Sequence, residues 1–333
     1  MNKIRIGVLC PSEIAFRRFM PALETLENFE YIGLAAATER EFTGADNDEV
    51  KISEFEKARK FVSEYGGKIF NGYESLVCSD EIDAIYIPLP PTLHFKWAKK
   101  ALENGKHVLL EKPFTTDLAD TKTLVELAKE KDLAVHENYM FVYHTQLDFI
   151  REQIAGGVIG DIRLIRIDFG FPFRGVNDFR YDKKLGGGAL LDCGGYTVKL
   201  ASLFLGETAA VKASRLNYKD SFDVDIYGSA TLENKEGLTA QVSFGMDNSY
   251  KCSLEIWGSK GNIYTNRILT APAGFKPTVT VKTTQSEQNF ELAPDDTFAK
   301  SISEFAKNIF NKQTRVKKCA EILKQGELIE QIK

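Results

Sequence analysis

Short apolar runs alternate with amphipathic stretches along the first 137 residues. Runs such as Ile4 to Leu9 and Ala84 to Pro88 have the length and composition of buried strands. The stretches between them repeat apolar residues every three or four positions, which indicates helices. Strands that alternate with helices are typical of a parallel sheet covered on both faces. The predicted strands are 4–9, 31–37, 84–88, 107–110 and 133–136, and the predicted helices are 14–26, 53–65, 93–104 and 118–131.

The pattern changes after about Gly160, where strand-like runs follow one another directly. Many of them alternate apolar and polar residues, which favours an antiparallel sheet with one face on a core. One helix is predicted over 190–204, and the predicted strands are 162–169, 211–217, 225–232, 238–244, 252–257 and 278–283. We therefore expect an α/β domain over 1–137 and an α+β domain with a large open, mainly antiparallel sheet over 138–333. A last helical stretch near 297–330 is expected to pack back on the first domain.

Charge and cysteine usage narrow the class of protein. The 43 Lys and Arg residues against 47 Asp and Glu residues give a formal net charge of −4, which lacks the basic footprint of a nucleic-acid-binding protein. No apolar run approaches the ~20 residues that span a bilayer, and the chain starts without the pattern of a signal peptide. Five scattered cysteines without a CxxC pair, and four histidines without ligand spacing, favour a reduced cytoplasmic protein without a metal site.

The end of the first strand is a candidate dinucleotide site. A pyrophosphate at a helix N-terminus needs small residues near it, in the pattern GxGxxG or GxGxxA. Cys10, Ser12 and Ala15 occupy the three places, so small residues are kept although two glycines are replaced. A strand-to-helix turn without a ligand is the alternative. The candidate cofactor-binding residues here are Cys10, Pro11, Ser12, Glu13 and Ile14.

The end of the second strand bears on the choice of cofactor. It continues into Thr38, Glu39 and Arg40. A carboxylate at this place holds the ribose diol of NAD, whereas a hydroxyl with an arginine accepts the 2′-phosphate of NADP. Glu39 and Arg40 favour opposite cofactors, so the residues alone leave the choice open. A solvated loop is the alternative interpretation of either residue.

Two later strand ends carry further candidates. Lys112 follows the strand 107–110 at the edge where parallel sheets bind ligands, and a merely exposed lysine is the alternative. The strand 84–88 runs into a proline-rich segment, after which His94 could line a cleft or pack in the core. The candidate cofactor-binding residues at these ends are Pro88, Leu89, Pro90, His94, Glu111 and Lys112.

A glycine-rich segment leads into the helix predicted over 190–204. Asp192, Tyr196 and Lys199 follow it at positions i, i+4 and i+7, which places them on one helical face. A tyrosine beside an ammonium is a candidate proton donor, because the positive charge lowers its pKa from ~10 toward neutral pH. The alternative is a buried tyrosine beside an exposed salt bridge. Further residues that could contact a polar or anionic substrate, or lie on the surface, are Arg174, Asn177, Arg180 and Lys199.

Together these segments resemble the Gfo/Idh/MocA family of nicotinamide-dependent oxidoreductases. The resemblance implies an N-terminal Rossmann domain and a C-terminal domain with a large open sheet. By motif, it implies that Lys112 contacts the substrate and nicotinamide region and that Asp192 holds substrate hydroxyls. It also implies that Tyr196 takes the acid/base position where many members have histidine. The segments that carry the resemblance are 7–15, 84–90, 105–113, 156–161 and 186–196.

One branch of the family carries tyrosine at the acid/base position, and this chain resembles that branch. Residues 137–144 most resemble the nucleotide-sugar ketoreductases within it. The resemblance implies reduction of a keto group on a nucleotide-linked deoxysugar, with NADP slightly favoured over NAD. It also implies a homo-oligomer, a dimer or tetramer, formed through the C-terminal sheet. Oxidation of an aldose or a trans-dihydrodiol is an alternative. Another is a non-catalytic sensor of dinucleotides or sugars on the same fold.

Overall fold

The chain folds into two compact units. The structure is a computed structural model that describes residues 3–38, 41 and 48–333, with the backbone alone over 48–52. The first unit comprises Met1–Asn138 and Phe298–Leu323, and the second comprises Tyr139–Thr297 and Lys324–Lys333. Within the described ranges, no helix is both long enough and apolar enough to cross a membrane.

A six-stranded sheet forms the centre of the first unit. Its strands are β1 (Ile4–Leu9), β2 (Phe29–Ala36), β3 (Lys68–Asn71), β4 (Ala84–Ile87), β5 (His107–Leu110) and β6 (Val135–Glu137). They lie in the order β3-β2-β1-β4-β5-β6, and every neighbouring pair is parallel. This topology confirms the predicted Rossmann-type sheet. The strand order reverses between β1 and β4, and ligands of such sheets bind outside the carboxyl ends of the strands at that point.

Helices lie between most of these strands, and local sequence explains where several of them begin. They are α1 (Met20–Leu23), α2 (Asp48–Tyr65), α3 (Tyr73–Val77), α4 (Pro91–Glu103) and α5 (Leu118–Glu130). Pro91 suits the first turn of α4, because its missing N–H is not needed there. Asp117 caps α5 by accepting a hydrogen bond from Ala119 N at 2.7 Å. The helix predicted over 14–26 ends early, at Leu23, and starts with a π-helical turn over Ala15–Phe19.

A single eight-stranded sheet organises the second unit, which also contains α6 (Thr145–Ala155) and α7 (Gly195–Leu205). Its strands are β7 (Ile162–Gly170), β8 (Ala210–Tyr218), β9 (Asp225–Glu233), β10 (Thr239–Gly245), β11 (Lys251–Gly258), β12 (Gly261–Asn266), β13 (Thr278–Thr283) and β14 (Glu287–Glu291). Their order is β14-β13-β12-β11-β7-β10-β9-β8. The pair β7–β10 is parallel and the other neighbours are antiparallel. The predicted large, mainly antiparallel sheet is thereby confirmed.

The two faces of this sheet differ in burial. α7 packs against β7 and β10, and inward side chains such as Ile167, Val242 and Leu254 are fully buried. Alternate positions on the other face stay open to solvent, including Trp257 and Tyr264. This alternation follows from the period of two along a strand.

Two final helices complete the chain, α8 (Thr297–Phe310) and α9 (Lys312–Ile332). Cys319 and Ile322 of α9 lie in the hydrophobic core of the first unit. Leu328 and Ile332 of the same helix lie in the core of the second unit. The boundary between the units on α9 therefore lies between the side chains buried in the first core and those buried in the second.

Candidate functional site

The loop after β1 has the geometry that a phosphate-binding turn needs. Cys10 has a φ of 107°, a conformation that glycine adopts freely and other residues rarely. Ser12 caps the following helical turn, because its Oγ accepts a hydrogen bond from Ala15 N at 3.2 Å. Pro11 is buried, Glu13 is exposed, and Ile14 is half-buried. The turn into the helix therefore keeps a glycine-like backbone without the glycine, which is the conformation that a dinucleotide-binding turn requires.

The Cys10 thiol anchors this loop to α2. Its Sγ donates to Glu54 Oε2 at 3.7 Å, and the other Glu54 oxygen pairs with Lys57 Nζ at 3.2 Å. Burial raises the pKa of the Cys10 thiol, so the thiol stays protonated and remains a donor at neutral pH. The contact gives a physical reason for a side chain at this place. The cysteine ties the loop to α2 while its backbone preserves the turn.

A carboxylate that sequence reasoning missed organises the end of β2. Glu41 Oε2 accepts hydrogen bonds from Thr38 N at 2.8 Å and from Thr38 Oγ1 at 2.7 Å. Tyr73 N and Glu74 N, at the start of α3, donate to the same carboxylate at 2.9 and 3.0 Å. Burial raises the pKa of Glu41, but these hydrogen bonds outweigh it and hold the pKa below its ordinary value. The Thr38 hydroxyl proton is therefore directed to Glu41.

The other two residues predicted at this strand end, Glu39 and Arg40, lie outside the described residues. Their assignment to the cofactor ribose stays a prediction.

His94 joins the loops that follow β4 and β5. Its Nδ1 lies 2.8 Å from Pro113 O, and its Nε2 lies 2.8 Å from Leu89 O. Burial lowers the pKa of His94 to about 4, so the ring is neutral at pH 7 and donates through one nitrogen. Both nitrogens face main-chain oxygens, and His94 therefore links these two loops. Pro88 and Leu89 are buried beside it, and Pro90 is half-buried.

Lys112 lies half-buried just beyond the carboxyl end of β5, and its peptide bond to Pro113 is cis. The preceding Glu111 accepts hydrogen bonds on Oε1 from Tyr86 Oη and from Asn138 Nδ2, both at 2.7 Å. Burial raises the pKa of Glu111, while these two donors act in the opposite direction. Lys112 thus lies between a carboxylate oriented by two donors and a proline whose carbonyl faces His94.

In the second unit, the structure brings Asp192 and Arg180 together. Arg180 Nε donates to Asp192 Oδ2 at 2.7 Å, and its Nη1 donates to Asp178 Oδ1 at 3.2 Å. Charge-assisted bonds of this kind are short and directional, so Arg180 fixes one oxygen of Asp192. Arg174 and Asn177 on the preceding loop are exposed, and the Arg174 guanidinium lies 4.7 Å from the Phe171 ring centroid.

The glycine run before Asp192 allows a side chain from another segment of the same chain to approach closely. A Cβ on Gly188, whose φ is 123°, would lie 2.5 Å from Asp225 Oδ1. The same carboxylate accepts a hydrogen bond from Leu190 N at 2.7 Å. Burial raises the pKa of Asp225, and the bond from Leu190 opposes that effect. The group that approaches the glycines is therefore an aspartate of β9, which satisfies a backbone donor at the start of the helix.

Tyr196 is held by aromatic side chains that sequence reasoning missed. Its ring centroid lies 5.2 Å from that of Tyr139, 5.5 Å from that of Phe169 and 5.8 Å from that of Phe141. The body of the ring is packed, and 8% of the residue stays exposed. Tyr139 and Phe141 belong to the segment 137–144. Its run of aromatic residues is the sequence feature that could have indicated aromatic packing around Tyr196. Tyr139, Phe141 and Phe169 form the aromatic cage of Tyr196.

The helix predicted over 190–204 is present, and its first turn, Leu190–Gly194, is π-helical before α7 begins at Gly195. The alternative of an exposed salt bridge beside Tyr196 is wrong in its exposure, because Lys199 is 9% exposed and its Nζ lies 6.0 Å from the Tyr139 ring centroid. The Lys199 side chain is therefore buried near the aromatic cage.

We expect Gly195→Ala to destabilise the protein, because Tyr139 occupies the space beside Gly195. A Cβ at this position would lie 2.2 Å from Tyr139 Oη, and Tyr139 is buried. Overpacking of this kind costs about 1–3 kcal/mol, which exceeds the ~1 kcal/mol that alanine gains over glycine in a helix. Urea unfolding measures the change in the free energy of unfolding.

Tyr139→Phe provides the control for this clash. It removes the hydroxyl, and the next tyrosine atom, Cζ, lies at an ordinary 3.4 Å from the added Cβ. Gly195→Ala is therefore expected to cost little or nothing in the Tyr139→Phe background. Equal costs in the two backgrounds would show that the hydroxyl is not the obstacle.

Among the described residues, no group of three or more His, Cys, Asp or Glu side chains is arranged to hold a metal ion.

Two family models match the chain, and together they cover most of it. Residues 34–139 match the oxidoreductase family with an NAD-binding Rossmann fold, and residues 148–264 match the GFO/IDH/MocA C-terminal domain. The chain is also similar to enzymes named dTDP-3,4-didehydro-2,6-dideoxy-alpha-D-glucose 3-reductase. The one from Actinomadura kijaniata is 36% identical over 332 residues, which are 100% of this chain and 95% of that protein. The one from Streptomyces violaceoruber is 34% identical over 342 residues, with the same two shares.

Solved structures share this architecture. A 3-ketoreductase from Actinomadura kijaniata, in complex with NADP and TDP-benzene, has a TM-score of 0.90 at 36% identity and covers 99% of this chain and 97% of that chain. An aldose-aldose oxidoreductase from Caulobacter crescentus shares the fold, with a TM-score of 0.85 at 20% identity over 99% of this chain and 96% of that chain. Motifs, topology and full-length similarity agree, and the chain belongs to the Gfo/Idh/MocA family of NAD(P)-binding oxidoreductases.

Proposed function

We propose that the protein is an NADPH-dependent reductase of the 3-keto group of a nucleotide-linked deoxysugar. The observation that carries the proposal is the 36% identity over the whole chain to a reductase named for such a substrate. Solved structures of the Actinomadura kijaniata 3-ketoreductase also include variants with a replaced lysine or a replaced tyrosine, again with NADP and TDP-benzene. Lysine and tyrosine are the residue types to which catalysis is assigned here.

Three side chains carry the proposed chemistry. When bound, the dinucleotide supplies a hydride to the carbonyl carbon. Tyr196 donates the proton to the forming alkoxide, from a ring that the aromatic cage holds in place. Lys112 stabilises the negative charge that develops on that oxygen. Asp192, with one oxygen fixed by Arg180, accepts a hydrogen bond from a sugar hydroxyl.

The cofactor is proposed to be NADP, because the Actinomadura kijaniata 3-ketoreductase was solved with it. The loop from Cys10 to Ile14 would hold the pyrophosphate, and residues 38–40 would hold the adenosine ribose. The segments Pro88–Pro90 and Glu111–Lys112 would line the nicotinamide side. Substrate contacts are proposed for Arg174, Asn177, Arg180 and Lys199.

The decisive experiment is reduction of the keto sugar itself. The purified protein is mixed with NADPH and dTDP-3,4-didehydro-2,6-dideoxy-α-D-glucose, and the loss of nicotinamide absorbance is followed. We expect substrate-dependent oxidation of NADPH and a dTDP-sugar product that is two hydrogens heavier. NADPH that is bound but never consumed would contradict the proposal.

Oxidation of a free aldose is the second candidate function. The chain is 28% identical over 309 residues to a D-xylose 1-dehydrogenase (NADP+) from Haloferax volcanii, which covers 92% of this chain and 90% of that protein. Incubation with NADP+ and D-xylose separates the two candidates. Formation of NADPH with D-xylose, without turnover of the keto sugar, would favour the dehydrogenase.

We further propose that the open face of the eight-stranded sheet joins two copies of the chain. Trp257 on β11 is 54% exposed there, and Tyr264 on β12 is exposed nearby. Charges of both signs lie on the same strands, as in the pair Lys251–Asp168 at 2.7 Å. A patch with both signs can face its own copy, as an isologous interface requires. Large aromatic side chains are the usual energetic centres of such interfaces.

Trp257→Glu is expected to weaken self-association about 30-fold, since an interface hot spot contributes about 2 kcal/mol or more. Light scattering across a dilution series measures the effect. Val316→Glu is the matched control, because Val316 is 53% exposed on α9. A wild-type protein that stays monomeric at high concentration would contradict this interface, and so would equal weakening by both variants.

A further inference from the structure

We propose that Asn138, held by Ser301 of α8, is a positioning residue that orients the Glu111 carboxylate beside Lys112. The inference deepens the proposed function and rests on it, because it assigns the support for the loop that carries Lys112. The contacts that carry the inference all lie within the first unit.

The Glu111 carboxylate receives its donors from two different segments. Tyr86 Oη, on β4, and Asn138 Nδ2, just beyond β6, both donate to Oε1 at 2.7 Å. Lys112 N lies 3.4 Å from Oε2. Two short bonds to one oxygen fix the rotation of the carboxylate, and with it the start of the Lys112 loop.

Asn138 is itself held from α8. Ser301 Oγ donates to Asn138 Oδ1 at 2.8 Å, although the two residues are 163 positions apart in sequence. His136 Nε2 lies 3.0 Å from Ser301 Oγ, and Asn308 Nδ2 lies 3.4 Å from His136 Nδ1. Ser301, His136 and Asn308 are buried. Water therefore does not compete freely for these groups.

One arrangement of protons makes all of these contacts. Asn308 donates to His136 Nδ1, the Nε2 proton of His136 goes to Ser301, and the Ser301 hydroxyl proton goes to Asn138 Oδ1. The Asn138 amide must then present its N–H to Glu111. The direction of the network is set in α8 and β6, and it ends with a donor aimed at Glu111. If the Asn138 amide were bonded only to the Glu111 carboxylate, the other contacts of the network would not fix its orientation.

This network explains why the loop of Lys112 is anchored on both sides. Glu111 precedes Lys112 and is oriented by Tyr86 and Asn138, while the carbonyl of the following Pro113 faces His94 at 2.8 Å. Catalytic groups must be held within fractions of an ångström of their working geometry. Misplacement by about 1 Å can cost about 100-fold in rate.

Asn138→Asp tests the proposal, because it keeps the acceptor for Ser301 and replaces the donor to Glu111 by an oxygen. Two carboxyl groups at hydrogen-bond distance cannot both ionise readily, so the pair retains one proton at low pH. Among the described residues, the titratable groups that act on Glu111 are Tyr86 from β4 and Lys112 from its own loop, and His136 of β6 is connected to Glu111 through Ser301 and Asn138.

We expect the variant to depend on pH in a way that the wild type does not. At acidic pH the shared proton restores a bond between residues 138 and 111, and kcat stays near that of the wild type. As pH rises and the proton leaves, kcat is expected to fall by about 10–100-fold relative to the wild type at the same pH. The measurement is the pH profile of kcat for both proteins.

The unfolding temperature gives a readout that needs no turnover. The pKa of the carboxyl pair is raised in the folded state above its unfolded value. Its stabilising effect is therefore present below the unfolded pKa and lost as pH rises through the folded pKa. Relative to the wild type, Asn138→Asp is expected to lose thermal stability progressively over that pH interval.

Matched serine variants show whether α8 supplies the direction. Ser301→Ala removes the donor to Asn138 and is expected to lower kcat by about 10-fold without a new pH dependence. Ser303→Ala is the control on the same helix, because the Ser303 hydroxyl bonds to Ala299 O within α8 at 2.8 Å. Ser303→Ala is expected to keep wild-type kcat.

The proposal is overturned if Asn138→Asp keeps the wild-type pH profiles of both kcat and unfolding temperature. Failure of the proposed function is a separate result, since then the wild type itself would not reduce the keto sugar. In that case the unfolding profile still decides whether Asn138 and Glu111 are coupled.

Discussion

Tyr196→Phe is expected to lower kcat by about 10²–10⁴-fold and to leave the Kd for NADPH unchanged. The substitution removes the phenolic proton that the reaction needs and keeps the ring. The three rings of the aromatic cage lie at centroid distances of 5.2, 5.5 and 5.8 Å from the Tyr196 ring. Phenylalanine should therefore occupy the same space without unfolding the helix. Steady-state kinetics gives kcat, and quenching or transfer of NADPH fluorescence gives the Kd.

Tyr218→Phe serves as the control for Tyr196→Phe, because Tyr218 is 61% exposed at the end of β8. It is expected to have wild-type kinetics. If Tyr196→Phe also kept wild-type kcat, the proton would have to come from another group, and the role assigned to Tyr196 would be wrong. A parallel loss of NADPH binding would indicate that the phenol serves in cofactor binding instead.

Much of the fold could be predicted because burial leaves a periodic record in the sequence. β4 and β5 are buried almost throughout, and their apolar runs identified them. β3 escaped prediction because this short strand at the sheet edge has an exposed-half-buried-buried-exposed pattern with no long apolar run. β12 and β14 escaped for a similar reason, since exposed or half-buried polar residues occupy many of their positions.

Local sequence patterns predict candidate site residues one segment at a time, and they do not record the contacts that hold those residues. Tyr196 and Asp192 follow the glycine run, and their spacing predicts that they lie on one helical face. The contact of Arg180 with Asp192 spans 12 residues and an irregular loop, and no periodicity records it. The support of Asn138 by Ser301 spans 163 residues and depends on tertiary packing alone.

At the end of β1, a backbone conformation typical of glycine occurs at a residue that is not glycine. Sequence comparison with the pattern GxGxxG marks Cys10 as a departure. The backbone nevertheless takes a φ of 107° there, which is the property that glycine usually supplies. The thiol contact with Glu54 at 3.7 Å shows what the side chain does instead. A residue-by-residue pattern cannot record a conformation that tertiary contacts stabilise.

Lys112→Met is the second prediction with a large expected effect, a fall in kcat of about 10²–10³-fold with a small change in the Kd for NADPH. Methionine keeps most of the length and apolar body of lysine and removes the ammonium. In the proposed reaction, that ammonium stabilises the negative charge on the oxygen of the reduced carbonyl. The loop around Lys112 should stay in place, because Glu111 and Pro113 are anchored by other residues.

Two further lysine variants separate charge stabilisation from general electrostatics. Lys112→Arg keeps the positive charge and is expected to recover part of the lost rate, since charge remains but the donor geometry changes. Lys99→Met removes a charge from the exposed side of α4, where the Lys99 side chain is 44% exposed, and is expected to have wild-type kinetics. A wild-type kcat for Lys112→Met would mean that another group stabilises the alkoxide. Equal losses in Lys112→Met and Lys99→Met would point to the net charge of the protein, because a local role requires the first variant alone to fail.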